Sequence, residues 1–161
     1  DGKVRGMALD RDASLLAVTA LDGRVLLLET DHFNTLHALD AHANGASSAC
    51  WHPAKPVLIT GGRDGHLRFW RSDEGYRALH AVPAHRANIY TIAFSPDGQW
   101  CATASRDKSI QLWDANTFDP LQRLDARSGG HTYSVNTLLW TGDGQLLSGS
   151  DDRTVRAWSP A

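Results

Sequence analysis

The sequence predicts an all-β chain made of four copies of one antiparallel repeat. Closely similar segments recur at Asp64–Trp70, Asp107–Trp113 and Asp152–Trp158, with a degenerate copy at Asp22–Leu28. The aligned aspartates stand 42, 43 and 45 residues apart, a period that makes each repeat one supersecondary unit. Between them run short stretches of apolar and β-branched residues bounded by turn residues, and nowhere does the apolar spacing become helical.

The third repeat shows the elements most clearly. Strands are predicted over Ile89–Phe94, Trp100–Ala104, Ser109–Trp113 and roughly Leu121–Leu124. Turn residues separate them: Ser95-Pro96-Asp97-Gly98, then Arg106-Asp107-Lys108, then Asp114-Ala115-Asn116. The same punctuation recurs at His52-Pro53-Ala54-Lys55 and Thr141-Gly142-Asp143-Gly144. The repeats occupy residues 1–40, 41–83, 84–126 and 127–161 as one domain. The first opens almost directly in a strand near Val4. The last stops after its third strand and is expected to lack the outer one.

A set of four side chains repeats in register: His42, Thr60, Asp64 and Trp70; His85, Thr103, Asp107 and Trp113; His131, Ser148, Asp152 and Trp158. On these residues and this period the chain resembles the Trp-Asp (WD) repeat family of β-propellers. The Trp-Asp pair itself survives only at Trp113-Asp114. The resemblance implies four propeller blades of four-stranded sheet, each holding a buried chain of hydrogen bonds from Trp to Ser/Thr to His to Asp, residue types that fit as donors and acceptors. The first repeat has lost the set: Val18 and Leu28 replace the hydroxyl and the Trp, and only Asp22 remains. Replacing linked polar groups together by apolar ones is internally consistent.

Ser/Thr, His and Asp are also the members of a nucleophilic triad. A triad occurs once, however, whereas this set occurs three times with a Trp attached, and no Gly-x-Ser-x-Gly elbow accompanies it. No catalytic residue is assigned. His37 with His42, and His80 with His85, lack the cysteine or carboxylate cluster a metal needs, so no metal or cofactor is expected. Cys50 and Cys101 read as small core residues. Trp51, Phe94 and Trp140 share one aligned position and read as core between blades; Trp100 has no aligned counterpart of its type.

Composition narrows the function classes. The 161 residues carry 16 Lys+Arg against 18 Asp+Glu, a net charge of -2, so nothing general favours nucleic acid or anionic lipid. No apolar run approaches a bilayer span. Two cysteines make no disulfide framework, and a cytoplasmic setting is expected. A chain beginning at Asp1 with its sole methionine at Met7 is expected not to begin where its gene does.

Propellers close into rings of about 4–8 blades, and the family usually closes at seven. Four blades are therefore expected to be completed by further blades of the same polypeptide, by a second copy as a homodimer, or by another protein. The resemblance also points to partner-binding positions three and five residues after each tetrad His and just before each tetrad Asp. These are Gly45, Ser47 and Arg63; Asn88, Tyr90 and Arg106; Ser134, Asn136 and Asp151; with Lys3, Arg5 and Leu21 equivalent in the first repeat. Arginines beside a tyrosine suit an acidic or phosphorylated peptide. The expected function is a non-enzymatic interaction scaffold, the C-terminal part of a larger propeller. A structural module of an enzyme catalysing elsewhere is the rival from another class.

Overall fold

In the computed structural model, which describes residues 2–160, strands dominate and the helical content is two short 3₁₀ turns, Ser72–Glu74 and Ala126–Ser128. The chain divides into two compact units, Asp1–Pro83 and Ala84–Ala161. The first unit holds β1 (Val4–Leu9), β2 (Leu15–Ala20), β3 (Arg24–Glu29) and β4 (Thr35–Asp40) in one sheet. Its second sheet is β5 (Ala46–Trp51), β6 (Val57–Gly62), β7 (His66–Arg71) and β8 (Arg77–Pro83). The second unit holds β9 (Ile89–Phe94), β10 (Trp100–Ser105), β11 (Ile110–Asp114) and β12 (Pro120–Leu124), then the three-stranded sheet β13 (Val135–Trp140), β14 (Leu146–Ser150) and β15 (Val155–Trp158). Every sheet is antiparallel with neighbours in chain order, the pattern of a propeller blade.

Strand bounds move by a residue where a side chain intervenes. Ser109 was expected to open β11, yet its N–H and hydroxyl both donate to Oδ1 of Asp107, at 3.1 and 2.5 Å, so the strand starts at Ile110. The turn before the third strand puts one residue at positive φ in every repeat: Gly23 (97°), Gly65 (74°), Lys108 (71°) and Arg153 (65°). Only glycine adopts that conformation without steric cost.

Each unit has its own core. In the first, Ala17, Val25 and Leu27 meet Leu58, Trp70 and Tyr76, with Trp51 packed against them. In the second, Ala102, Ile110 and Leu112 meet Leu138, Trp140 and Leu146, and the half-buried Trp100 and Trp158 pack on this cluster. The aligned tryptophans also tie sheet to sheet: Trp51 Nε1 donates to the Ala8 carbonyl and Trp140 Nε1 to the Ala93 carbonyl, both at 3.2 Å. Phe94, which has no donor, stands edge-on to Phe118, 6.2 Å between ring centres. Cys101 is fully buried, but Cys50 is only half-buried, which corrects its reading as a core residue. Burial around its thiol still raises the pKa to about 11.

Candidate functional site

The three tetrads are continuous hydrogen-bond chains. Trp70 Nε1 donates to Thr60 Oγ1 (3.1 Å), which is hydrogen-bonded to His42 Nε2 (3.0 Å), and His42 Nδ1 lies 3.1 Å from Asp64 Oδ1 and 2.5 Å from Arg68 Nη1. The corresponding distances are 3.0, 2.8 and 3.2 Å through Trp113, Thr103, His85 and Asp107. They are all 2.8 Å through Trp158, Ser148, His131 and Asp152. The aspartate accepts only, so at His85 and His131 it fixes the histidine proton on Nδ1 and leaves Nε2 as acceptor for the hydroxyl. Thr60 and Thr103 have no exposed surface and Ser148 has 1%. A hydroxyl so placed cannot attack a substrate, and each already receives the indole proton, so the nucleophilic reading fails on geometry.

Arginines from different registers meet two of the tetrad aspartates. Arg68 donates to Asp64 at 2.7 Å, and Arg123, from β12, donates to Asp107 at 2.9 Å. In the first repeat Arg24 grips Asp22 through Nε and Nη2 at 2.9 and 2.7 Å. Burial, with the Arg68 charge adding to it and Asp64 opposing, lowers the His42 pKa to about 4, so this ring is neutral in the folded protein. Burial alone would raise the Asp107 pKa, but hydrogen bonds from His85, Ser109 and the Arg86 N–H hold it well below the ordinary carboxylate range.

In each repeat the upper edge is formed by the connection into that repeat and by its β2–β3, β6–β7, β10–β11 or β14–β15 hairpin. It is built alike four times. The residue before the aligned aspartate donates its N–H to the carbonyl opposite: Leu21 to Lys3 and Arg63 to Gly45 at 2.9 Å, Arg106 to Asn88 and Asp151 to Ser134 at 3.0 Å. One residue of the facing strand is then skipped in the pairing, since Val4, Ala46, Ile89 and Val135 pair in register with the neighbouring strand but the next partners are Gly6, Ser48, Thr91 and Thr137. The skipped residues are Arg5, Ser47, Tyr90 and Asn136. Each is a β-bulge, which re-aims a side chain out of the ladder.

In the first unit the structure brings together Lys3 with Leu21 and Gly45 with Arg63; in the second, Asn88 with Arg106 and Ser134 with Asp151. Asn136 also donates from Nδ2 to Asp151 Oδ1 at 2.5 Å. Lys3, Arg5, Arg63, Arg106, Asn136 and Asp151 are exposed, whereas Leu21, Asn88, Tyr90 and Ser134 are half-buried. Gly45 and Ser47 are buried, which corrects their reading as exposed. Ser47 is small enough to turn inward, and its Oγ donates to the Gly61 carbonyl at 3.2 Å. At Gly45 a Cβ would lie 2.8 Å from Arg63 Cδ and 2.9 Å from the Leu21 carbonyl, so no side chain projects there. The bulges were not foreseen from sequence, although the constant five-residue offset from the histidine was their trace.

Among the described residues no group of three or more His, Cys, Asp or Glu is placed to hold a metal ion. His80 instead stacks on Phe69, 4.4 Å between ring centres, and His37 lies tilted against Tyr76 at 4.9 Å. Among those residues no helix is long and apolar enough to cross a membrane.

Comparison with known proteins adds relatives to this geometry. Striatin-3 of Homo sapiens is 30% identical over 147 residues, which covers 80% of this chain and 18% of the relative. Striatin of Mus musculus is 28% identical over 176 residues, covering 98% of the chain and 22% of the relative. The probable cytosolic iron-sulfur protein assembly protein 1 of Kluyveromyces lactis is 28% identical over 116 residues, 65% of the chain and 35% of the relative. The chain thus spans only 18% and 22% of the striatins it matches. The family profile described as WD domain, G-beta repeat matches residues 33–71, 77–114 and 119–159, most of the chain. With three complete tetrads on those matches, the chain belongs to the WD-repeat family.

Proposed function

We propose that this chain is a non-enzymatic protein-interaction scaffold that binds a peptide or protein partner on the upper edge of its repeats. The observation that carries the proposal is the fourfold bulge: each repeat sets one residue out of its ladder beside a backbone clamp. Three of these residues, Arg5, Tyr90 and Asn136, keep part of their surface free, and arginine and tyrosine are common interface anchors. Each is held on a paired strand of its own sheet, so little ordering cost opposes binding. The cytoplasm is the proposed compartment, since two cysteines make no disulfide framework.

Peptides selected from a random 12-residue display library on the 161-residue chain test this. They are expected to bind Tyr90→Ala/Asn136→Ala at least about tenfold more weakly, with thermal unfolding unchanged. Equal binding to the variant sinks the assignment of the edge.

A second contact is favoured by exposed apolar side chains. In the first repeat Met7 and Leu9 are 67% and 54% exposed, and in the fourth Leu139 and Val155 are 63% and 76% exposed. Further blades, from the same polypeptide or from a second copy, are proposed to cover these faces. Native mass spectrometry separates the two: a dimer of 17.6 kDa chains marks self-assembly, and a strictly monomeric chain rejects the homodimer.

A further inference from the structure

The second unit is electrically polarised along its strands. Residues 84–161 contain seven Lys and Arg against eight Asp. All seven cations lie toward the upper edge: Arg86 before β9, Arg106 and Lys108 in the β10–β11 hairpin, Arg123 and Arg127 at and after the end of β12, Arg153 and Arg156 at the β14–β15 hairpin. Asp97, Asp119 and Asp143, in the connections between strands, and Asp114, at the end of β11, lie at the opposite edge. Of the upper acids, Asp107 and Asp152 are engaged by His85 and His131, and Asp125 accepts from Arg127 N–H.

Five of the cations, Arg86, Arg106, Lys108, Arg127 and Arg153, are exposed and make no ion pair among the described residues. They are neighbours. The Arg86 N–H donates to Asp107 Oδ2 at 3.0 Å, which sets it against the hairpin of Arg106 and Lys108. Lys108 and Arg127 line one crevice of about 260 Å³ with Asp125, His131 and Thr132. Lys108 Nζ lies 5.5 Å from the centre of the Tyr133 ring, which is 59% exposed. The Thr132 N–H donates to Asp152 at 3.2 Å, placing that loop against Arg153.

We infer that this row recognises an acidic, extended peptide, its carboxylates on Arg86, Lys108, Arg127 and Arg153 and a flat side chain on Tyr133. The inference rests on the proposed function and names its partner class. At physiological salt charge is screened within about 8 Å, so a peptide crossing the upper edge feels the cations and not the acidic edge. A nucleic acid needs a continuous positive track, and Asp151 and Asp125 interrupt this one.

The same display selection, scored for composition, tests it. Selected peptides are expected to be enriched in Asp and Glu, and one of them, synthesised with a fluorescein label, should bind about tenfold more weakly (about 1.4 kcal/mol) to Lys108→Glu/Arg127→Glu. Arg86→Glu/Arg153→Glu should weaken it similarly should the first pair fail to fold. Peptides without acidic enrichment, or binding unmoved by either charge reversal, overturn the inference while a loss at Tyr90→Ala/Asn136→Ala keeps the edge itself. Tighter binding of a 20-nucleotide single-stranded DNA than of any selected peptide overturns it in favour of nucleic acid.

Discussion

Replacing Thr103 by valine removes one hydroxyl and almost no volume. In the structure that hydroxyl has no exposed surface. It accepts from Trp113 Nε1 at 3.0 Å and donates to His85 Nε2 at 2.8 Å. The substitution orphans both partners at once, and the Trp113 ring, 2% exposed, cannot reach water instead. Each buried polar group left unpaired costs about 1–3 kcal/mol, so the loss should reach about 2–4 kcal/mol after the gain from the added methyl. Thr103→Ser keeps both hydrogen bonds and should lose only about 1 kcal/mol for the methyl. Urea unfolding of the chain, with the midpoint compared at constant slope, measures both. A valine variant within about 0.5 kcal/mol of the parent would refute the claim that the tetrad is a closed network.

Further outcomes follow from single features. Gly62→Ala would drive a Cβ into Nδ1 of His42, and because that ring is pinned at both nitrogens the melting temperature should fall by the equivalent of about 1–3 kcal/mol. Ala13 sits at φ 54° where the aligned turns carry Gly98 and Gly144; Ala13→Gly should stabilise by about 0.5–1 kcal/mol, and a loss in thermal unfolding contradicts the alignment of these turns. Acid should act in two stages. His42 is neutral when folded, with a pKa of about 4 against 6.5, so the unfolded chain binds the extra proton. Stability should therefore fall by about 3 kcal/mol as pH drops from about 6.5 towards 4, and His42→Gln should flatten that slope. The lowered pKa of Asp107 contributes stability above its ordinary value that is lost only as pH falls further. Urea midpoints at pH 7.5, 5.5 and 4.5 check the first stage, and midpoints at pH 3.5 and 2.5 check the second.

Much of the architecture was legible because each repeat states it again. The period of the aspartates located the four repeats, and alternation with turn residues placed β9 at Ile89–Phe94 unchanged. Where one side chain competes with the backbone the bounds slipped, as at Ser109, whose donors go to Asp107 rather than to the ladder. The candidate edge was legible only as positions. Ser47 and Tyr90 share an offset from their histidines, yet one is buried on the Gly61 carbonyl and the other is half-exposed. The difference is side-chain size in the same bulge.

By itself, the sequence determined the repeat, the all-β class and the members of each tetrad, because these depend on local periodicity and on which residue types can satisfy one another when buried. The tertiary structure alone decided which arginine meets which aspartate, Arg24, Arg68 or Arg123, since those come from different strands and registers. It alone decided that the skipped residue in each strand is the one turned out of the ladder, and that the free cations of the second unit gather at one edge. Charge and hydrogen bonding depend on distance in space, and spacing along the chain fixes that distance only within a strand or a turn.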